Sequence, residues 1–129
     1  MIIAHTILFV ADQARSAGFY SRVLDVEPNL NVPGMTEFHI ADGAVLGLMP
    51  RASAKRLFAD SVKIAEEDDF NKVVELYLLV NDAAAYLQRA IESGAREISR
   101  LQLRDWGHRA GYCLDPDGHI IAFAQVLSD

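Results

Sequence analysis

HTILFVAD, residues 5–12, lies without a gap over ELYLLVND, residues 75–82. The pairing sets His5 on Glu75, Leu8 on Leu78, Val10 on Val80 and Asp12 on Asp82. Both stretches are apolar, rich in branched and aromatic side chains, and of strand length. The closing aspartate can accept from the orphan N–H groups of a helix start, so each copy predicts a strand that turns into a helix. Self-similarity at this separation means that one supersecondary unit is used twice.

The segments that follow repeat as well. Residues 14–24 put Ala17, Tyr20 and Leu24 at helical spacing with Phe19 and Val23 beside them, an amphipathic helix with one apolar face. Residues 83–93 repeat the design with Ala83, Leu87, Ala90 and Ile91, and Gly94 stops the helix. Asp42-Gly43 favours a tight hairpin between short strands at 37–41 and 44–49. Residues 42–48 lie over 117–123, so Gly47 corresponds to Ala122. With strands at 98–103 and 110–114, and a short one within 27–32, each half reads β-α-β-β-β. The expected class is therefore α+β, with tandem βαβββ modules forming a curved eight-stranded mixed sheet cup. One domain spans residues 1–129: module one is 1–50, a linker is 51–72, and module two is 73–129. The linker contains helical composition at 52–60 and the acidic run Glu66-Glu67-Asp68-Asp69, which reads as a solvated face.

Composition narrows the function. With 51% hydrophobic and 23% charged residues in 129, the chain has the balance of a globular domain. Net charge is −6 and the Lys and Arg residues are scattered, which speaks against nucleic acid as a partner. The apolar stretches are strand-sized, too short for a membrane span. The first residues lack the basic start and long apolar centre of a secretory signal. Cys113 is the sole cysteine, so no internal disulfide forms, and a cytoplasmic location is expected. On its strand Cys113 reads as a packing residue.

The stretch WGHRAGYCLDPDGHI, residues 106–120, resembles the vicinal-oxygen-chelate superfamily, which holds glyoxalases, bleomycin-binding proteins and extradiol dioxygenases. Its turn, Asp115-Pro116-Asp117-Gly118, uses the fixed φ of proline and the freedom of glycine to reverse two strands. Phe19-Tyr20-Ser21-Arg22-Val23-Leu24 is similar to the helix motif F-Y-x-x-V-L of the same superfamily. In metal-dependent relatives four ligands lie on the first and last strands of the two modules, and the resemblance carries these onto His5, Gly47, Glu75 and Ala122. Gly47 and Ala122 cannot coordinate, and two donors fall short of the three protein ligands of catalytic zinc. The expected cofactor is none, with a divalent metal on His5 and Glu75 as the alternative. Nothing in the spacing brings His39, His108 or His119 to that site.

Two functions from different classes follow. The first is a metal-free binding module that holds a small, planar or aromatic molecule in the cup between modules. The second is a glyoxalase-like lyase or isomerase in which His5 and Glu75 transfer a proton beside a carbonyl. Strand alternation puts Tyr77 on the face of Glu75, and Trp106 and Tyr112 offer stacking surfaces. The expected site is His5 and Glu75 as catalytic pair, with Tyr77, Trp106, Arg109 and Tyr112 for ligand binding. Arg51, Arg104 and Arg109 read as surface charges, or else as partners for an anionic ligand. Open sheet edges, and the pairing of chains in relatives, predict a homodimer.

Overall fold

Asp12 accepts the backbone N–H of Arg15 at 3.0 Å, and Asp82 that of Ala85 at 3.1 Å. Both repeats thus leave the strand and enter the helix at the same place. The computed structural model describes residues 1–64 and 74–127; the acidic run 66–69 and Val73 lie outside them. The element order is β1 (Ala4–Val10), α1 (Gln13–Leu24), β2 (Leu30–Val32), β3 (Met35–Ala41), β4 (Ala44–Pro50) and α2 (Arg51–Phe58), the last followed by a 3-10 turn (Ala59–Ser61). Then come β5 (Glu75–Leu79), α3 (Ala83–Glu92), β6 (Arg96–Leu103), β7 (His108–Leu114) and β8 (Ile120–Val126). The chain divides into two compact units, residues 1–68 and 69–129.

Each unit holds one four-stranded mixed sheet, in the order β1-β4-β3-β2 and β5-β8-β7-β6. The outer pairs β1 with β4 and β5 with β8 are parallel, and the remaining pairs are antiparallel. The fold is α+β, and its eight strands form two sheets of four instead of one continuous sheet. The register confirms the repeat residue by residue. Ile7 pairs with Gly47 and Gly47 with Glu37, while Tyr77 pairs with Ala122 and Ala122 with Tyr112. Gly47 and Ala122 are equivalent, as the sequence alignment required.

In the first unit α1 buries Ser16, Phe19, Tyr20 and Val23. The buried stripe is rotated from the expected one: Ala17 and Leu24 are only half-buried, because Phe19 and Val23 bring more apolar area to the sheet. Val10, Phe38, Leu46 and Leu48 complete this core, all fully buried. Burial of each such side chain contributes roughly 1.5–3 kcal/mol. The expected linker begins with a helix. Residues 51–58 are α2, which buries Arg51 and Ala54 and sets Phe58 6.1 Å from the ring of Phe9. Arg51, 5% exposed, is a buried helix-start residue and not a surface charge.

In the second unit α3 buries Ala83, Leu87 and Ala90, whereas Ile91 is 36% exposed. Gly94 ends the helix at φ +112°, a conformation that side chains other than glycine's rarely allow. Tyr86 meets Phe123 at 5.9 Å, and a Cβ at Gly111 would meet Leu87. Phe123, Gly111 and Cys113 therefore face the helix. By alternation Tyr77, His108, Ala110, Tyr112, Ala122 and Ala124 face the other way.

Candidate functional site

The helix-free face of the second sheet gathers most of the expected ligand-binding residues. Tyr77 on β5 and Tyr112 on β7 flank the fully buried Ala122 on β8. The Tyr77 hydroxyl stands 2.8 Å from Nδ1 of His108, and Nε1 of Trp106 donates to the same hydroxyl at 2.8 Å. An indole N–H can only donate, so the phenol oxygen accepts from Trp106 and its own proton is free to go to Nδ1 of His108. In that arrangement His108 is the neutral tautomer with its hydrogen on Nε2. Trp106 is held by its edge while 56% of the residue stays exposed.

Glu75 is exposed on the same face, two residues before Tyr77. The Tyr112 hydroxyl has its pKa raised, first by burial, then by the negative charge of Glu75 and by Tyr77. Arg104 opposes this shift, its guanidinium carbon lying 5.1 Å from the centre of the Tyr112 ring. Arg104 is anchored to the sheet. Its Nε and Nη2 donate to the carbonyl of Ala110, and Nη2 also reaches Ser99 Oγ and the carbonyl of Arg100. Arg109 shares the alternation of Gly111 and points to the helix side, away from Tyr77 and Tyr112.

The first unit carries a different set at equivalent positions. His5 on β1 places Nδ1 3.4 Å from Oε2 of Glu37 on β3, with the side chains 42% and 19% exposed. Glu37 is the counterpart of Tyr112 by register, so both sheets put a titratable group at that point. His5 and His39 both pair with Val45 and line a cavity of about 420 Å³ together with Ile3, Asp42 and Gly43. His5 and Glu75 stand in different units, each with surroundings of its own. Sequence reasoning missed Glu37 and gave His108 no role. The available signal was alternation, because Glu37 and His39 flank the buried Phe38, and His108 lies four residues before Tyr112.

The four positions implied for a metal do not fit one. Gly47 has no donor of its own, and a Cβ there would run into Cδ1 of Ile7 and lie 3.3 Å from Sδ of Met35, so both side-chain ends would have to shift for a ligand residue. Ala122 is fully buried and has no donor, and the imidazole of His5 is directed at Glu37. A second group, Asp115, Asp117 and His119, brings its ligand atoms within 4.8 Å of one another. Here the Asp115 carboxylate already accepts the N–H groups of Asp117 and His119, each at 2.9 Å, and pairs with Nδ1 of His119 at 2.9 Å. This is the tied turn before β8. Cys113 is buried, and burial, with Asp115 and Glu97 adding to it, pushes its thiol up to about 12.

The family model for the Glyoxalase/Bleomycin resistance protein/Dioxygenase superfamily matches residues 2–123. The chain belongs to that superfamily. Among solved members of this fold, a glyoxalase-related enzyme from Fulvimarina pelagi is 22% identical with a TM-score of 0.80, covering 95% of this chain and 86% of that one. A glyoxalase/bleomycin resistance protein/dioxygenase family enzyme from Burkholderia phytofirmans is 17% identical, also at 0.80, covering 98% of this chain and 100% of that one. At such identities the likeness shows the glyoxalase fold alone. An uncharacterized protein of Mycobacterium bovis is 41% identical over 56 residues, which are 43% of this chain and 37% of that protein. Among the described residues of this superfamily member, no helix is long and apolar enough to cross a membrane.

Proposed function

We propose that this superfamily member is a binding protein for a small, planar or aromatic molecule and works without a resident metal. One observation carries the reading: an exposed indole, Trp106, is held by the Tyr77 hydroxyl, itself bonded to His108, on the sheet that also bears Tyr112. A rigid aromatic surface costs little conformational entropy when a flat ligand stacks on it. The residues assigned to the ligand are Tyr77, Trp106 and Tyr112. A thermal-shift screen of planar aromatic compounds tests this. At a hundred times its Kd, a ligand should add about 2.7 kcal/mol to stability by mass action. The gain should vanish in Trp106→Leu and shrink in Tyr77→Phe, and hits that bind both variants like the parent would refute the site.

A second reading keeps one observation on its side. The carboxylate of Glu37 beside the His5 imidazole is the kind of partner that orients a general base, as a lyase or isomerase using His5 and Glu75 for proton transfer requires. Glyoxalase-type turnover that is lost in both His5→Gln and Glu75→Gln would favour it. For either reading the protein is a homodimer in the cytoplasm. Edge strands and exposed apolar residues such as Leu103 and Val126 support the pairing. Light scattering should give about twice the chain mass of 14.2 kDa.

A further inference from the structure

Three residues of the second unit share one row of hydrogen bonds. The Trp106 indole N–H, the Tyr77 hydroxyl and Nδ1 of His108 are joined in that order, each contact 2.8 Å long. The direction of the row is fixed at the Trp106 end. An indole only donates, so Tyr77 accepts from Trp106 and gives its own proton to His108. The rings of Tyr77 and His108 lie 5.9 Å apart at 35° to one another. Trp106 sits in the turn closed by the N–H of Gly107 on the carbonyl of Arg104, and among the described residues its indole N–H bonds to Tyr77. By register the first sheet has Ile7 where the second has Tyr77, so a module of this fold closes without such a row.

Resting on the binding reading above, we propose that His108 is a positioning residue: as a neutral imidazole it holds Trp106 in place through Tyr77, and on protonation it releases the indole, so that the flat ligand is held at neutral pH and let go in acid. An imidazole changes charge between about pH 8 and 5. Both of its nitrogens then donate, and turning the ring over offers no acceptor. Nδ1–H of His108 and Nε1–H of Trp106 now compete for the oxygen of Tyr77, whose own proton has lost its acceptor and turns away. The indole yields, because a hydrogen bond from an imidazolium is charge-assisted and roughly twice as strong as one from a neutral donor. The groups around the ring leave this contest in place. On β5, Glu75 is exposed two residues before Tyr77, and on β7 Tyr112 lies four residues beyond His108. On β8 the residue opposite is Val126, and β6 ends at Leu103, opposite Arg109, which faces the helix side. The turn adds exposed Asp105, and Arg104, whose guanidinium is tied to the carbonyls of Arg100 and Ala110. Among the described residues no carboxylate pairs with the His108 ring, so the atom its new proton meets is the Tyr77 oxygen.

Nitrogen-proton NMR of the unliganded chain tests the row directly, because Trp106 is the single tryptophan and gives one indole resonance. At about pH 8 that N–H should be as ordered as the sheet backbone, with the proton of the His108 ring on Nε2; at about pH 5 the order should be lost, in step with the titration of the His108 ring. Naphthylmethanol, a flat probe without a titrating group, should bind roughly threefold to tenfold more weakly in acid, the net worth of one hydrogen bond. His108→Gln keeps an acceptor for Tyr77 and gains no charge, so indole order and probe affinity should each be the same at both pH values. In Tyr77→Phe the indole should be disordered at both. An indole equally ordered at the two pH values in the parent overturns the inference, as does a His108 ring that carries its proton on Nδ1 at the higher pH. A pH dependence that persists in His108→Gln assigns it to another group and overturns the role of His108. If the indole responds as expected while naphthylmethanol binds at neither pH, the positioning role stands and the binding reading fails.

Discussion

Tyr112 shows how the second sheet differs from the first at a single residue. Burial and the charge of Glu75 both hold its proton, so its folded-state pKa lies above the unfolded value of about 10. Between those two values the folded chain keeps a proton that the unfolded chain has released. Stability from this group is therefore fully present below pH 10 and declines as pH rises toward the folded pKa. Glu75→Gln removes one of the raising charges, and a spectrophotometric titration of tyrosinate should find Tyr112 ionising at lower pH in that variant. An unchanged titration would mean that Glu75 does not act on Tyr112. Cys113 is the opposite case, a thiol with no ligand to meet. With its pKa pushed up to about 12 and no exposure, it should resist a thiol reagent at pH 8 in the folded protein and react within minutes once unfolded. Its packing role was legible from a lone cysteine between Tyr112 and Leu114 on a strand. The partner of His5 was not, since Glu37 reaches it only through the strand order β1-β4-β3, which periodicity does not reveal.

At the scale of elements, the sequence carried the strands and helices because patterning, caps and turns agree at each one. Asp12, Asp82 and Gly94 sit where the helix ends demand them, and the overlay of residues 5–12 on 75–82 survives as register. Two things were hidden. The buried stripe of α1 turned toward Phe19 and Val23, a choice between neighbouring apolar residues that depends on the shape of the sheet beneath. The segment 51–58 became α2 because Ala54 and Phe58 find Phe9 and β4, a tertiary contact that helical composition alone does not guarantee. The turn before β8 was recognised for its proline and glycine, yet its strength comes from Asp115. That carboxylate is 4% exposed and holds the N–H groups of Asp117 and His119 together with the His119 ring. Asp115→Ala would leave those buried donors without their acceptor, at about 2–4 kcal/mol. Urea unfolding should show the loss. A cost under about 0.5 kcal/mol, the range of an ordinary surface substitution, would mean that the turn is held by proline and glycine alone.

For the whole molecule, one topology used twice has produced two unlike faces. The first sheet presents His5, Glu37 and His39, and the second presents Glu75, Tyr77 and Tyr112, on strands that match by register. Divergence of this kind fits a family in which fold and chemistry are separable. The metal positions show it most clearly. Each last strand has a residue without a donor at its centre: Gly47, beside the side-chain ends of Ile7 and Met35, and Ala122, which lies between two tyrosines. Only His5 and Glu75 remain of the implied four, and His5 is directed at Glu37. A divalent ion held by two side chains binds too weakly to survive purification, since structural and catalytic sites use three or four. Elemental analysis of freshly purified protein should therefore find no zinc, nickel, manganese or iron near one per chain. Dialysis against EDTA should leave the melting temperature unchanged, because an ion bound only to the folded state would have contributed stability that its removal takes away. A fall in melting temperature that added zinc or manganese restores would show that a site exists after all, built from donors other than the four that the fold implies.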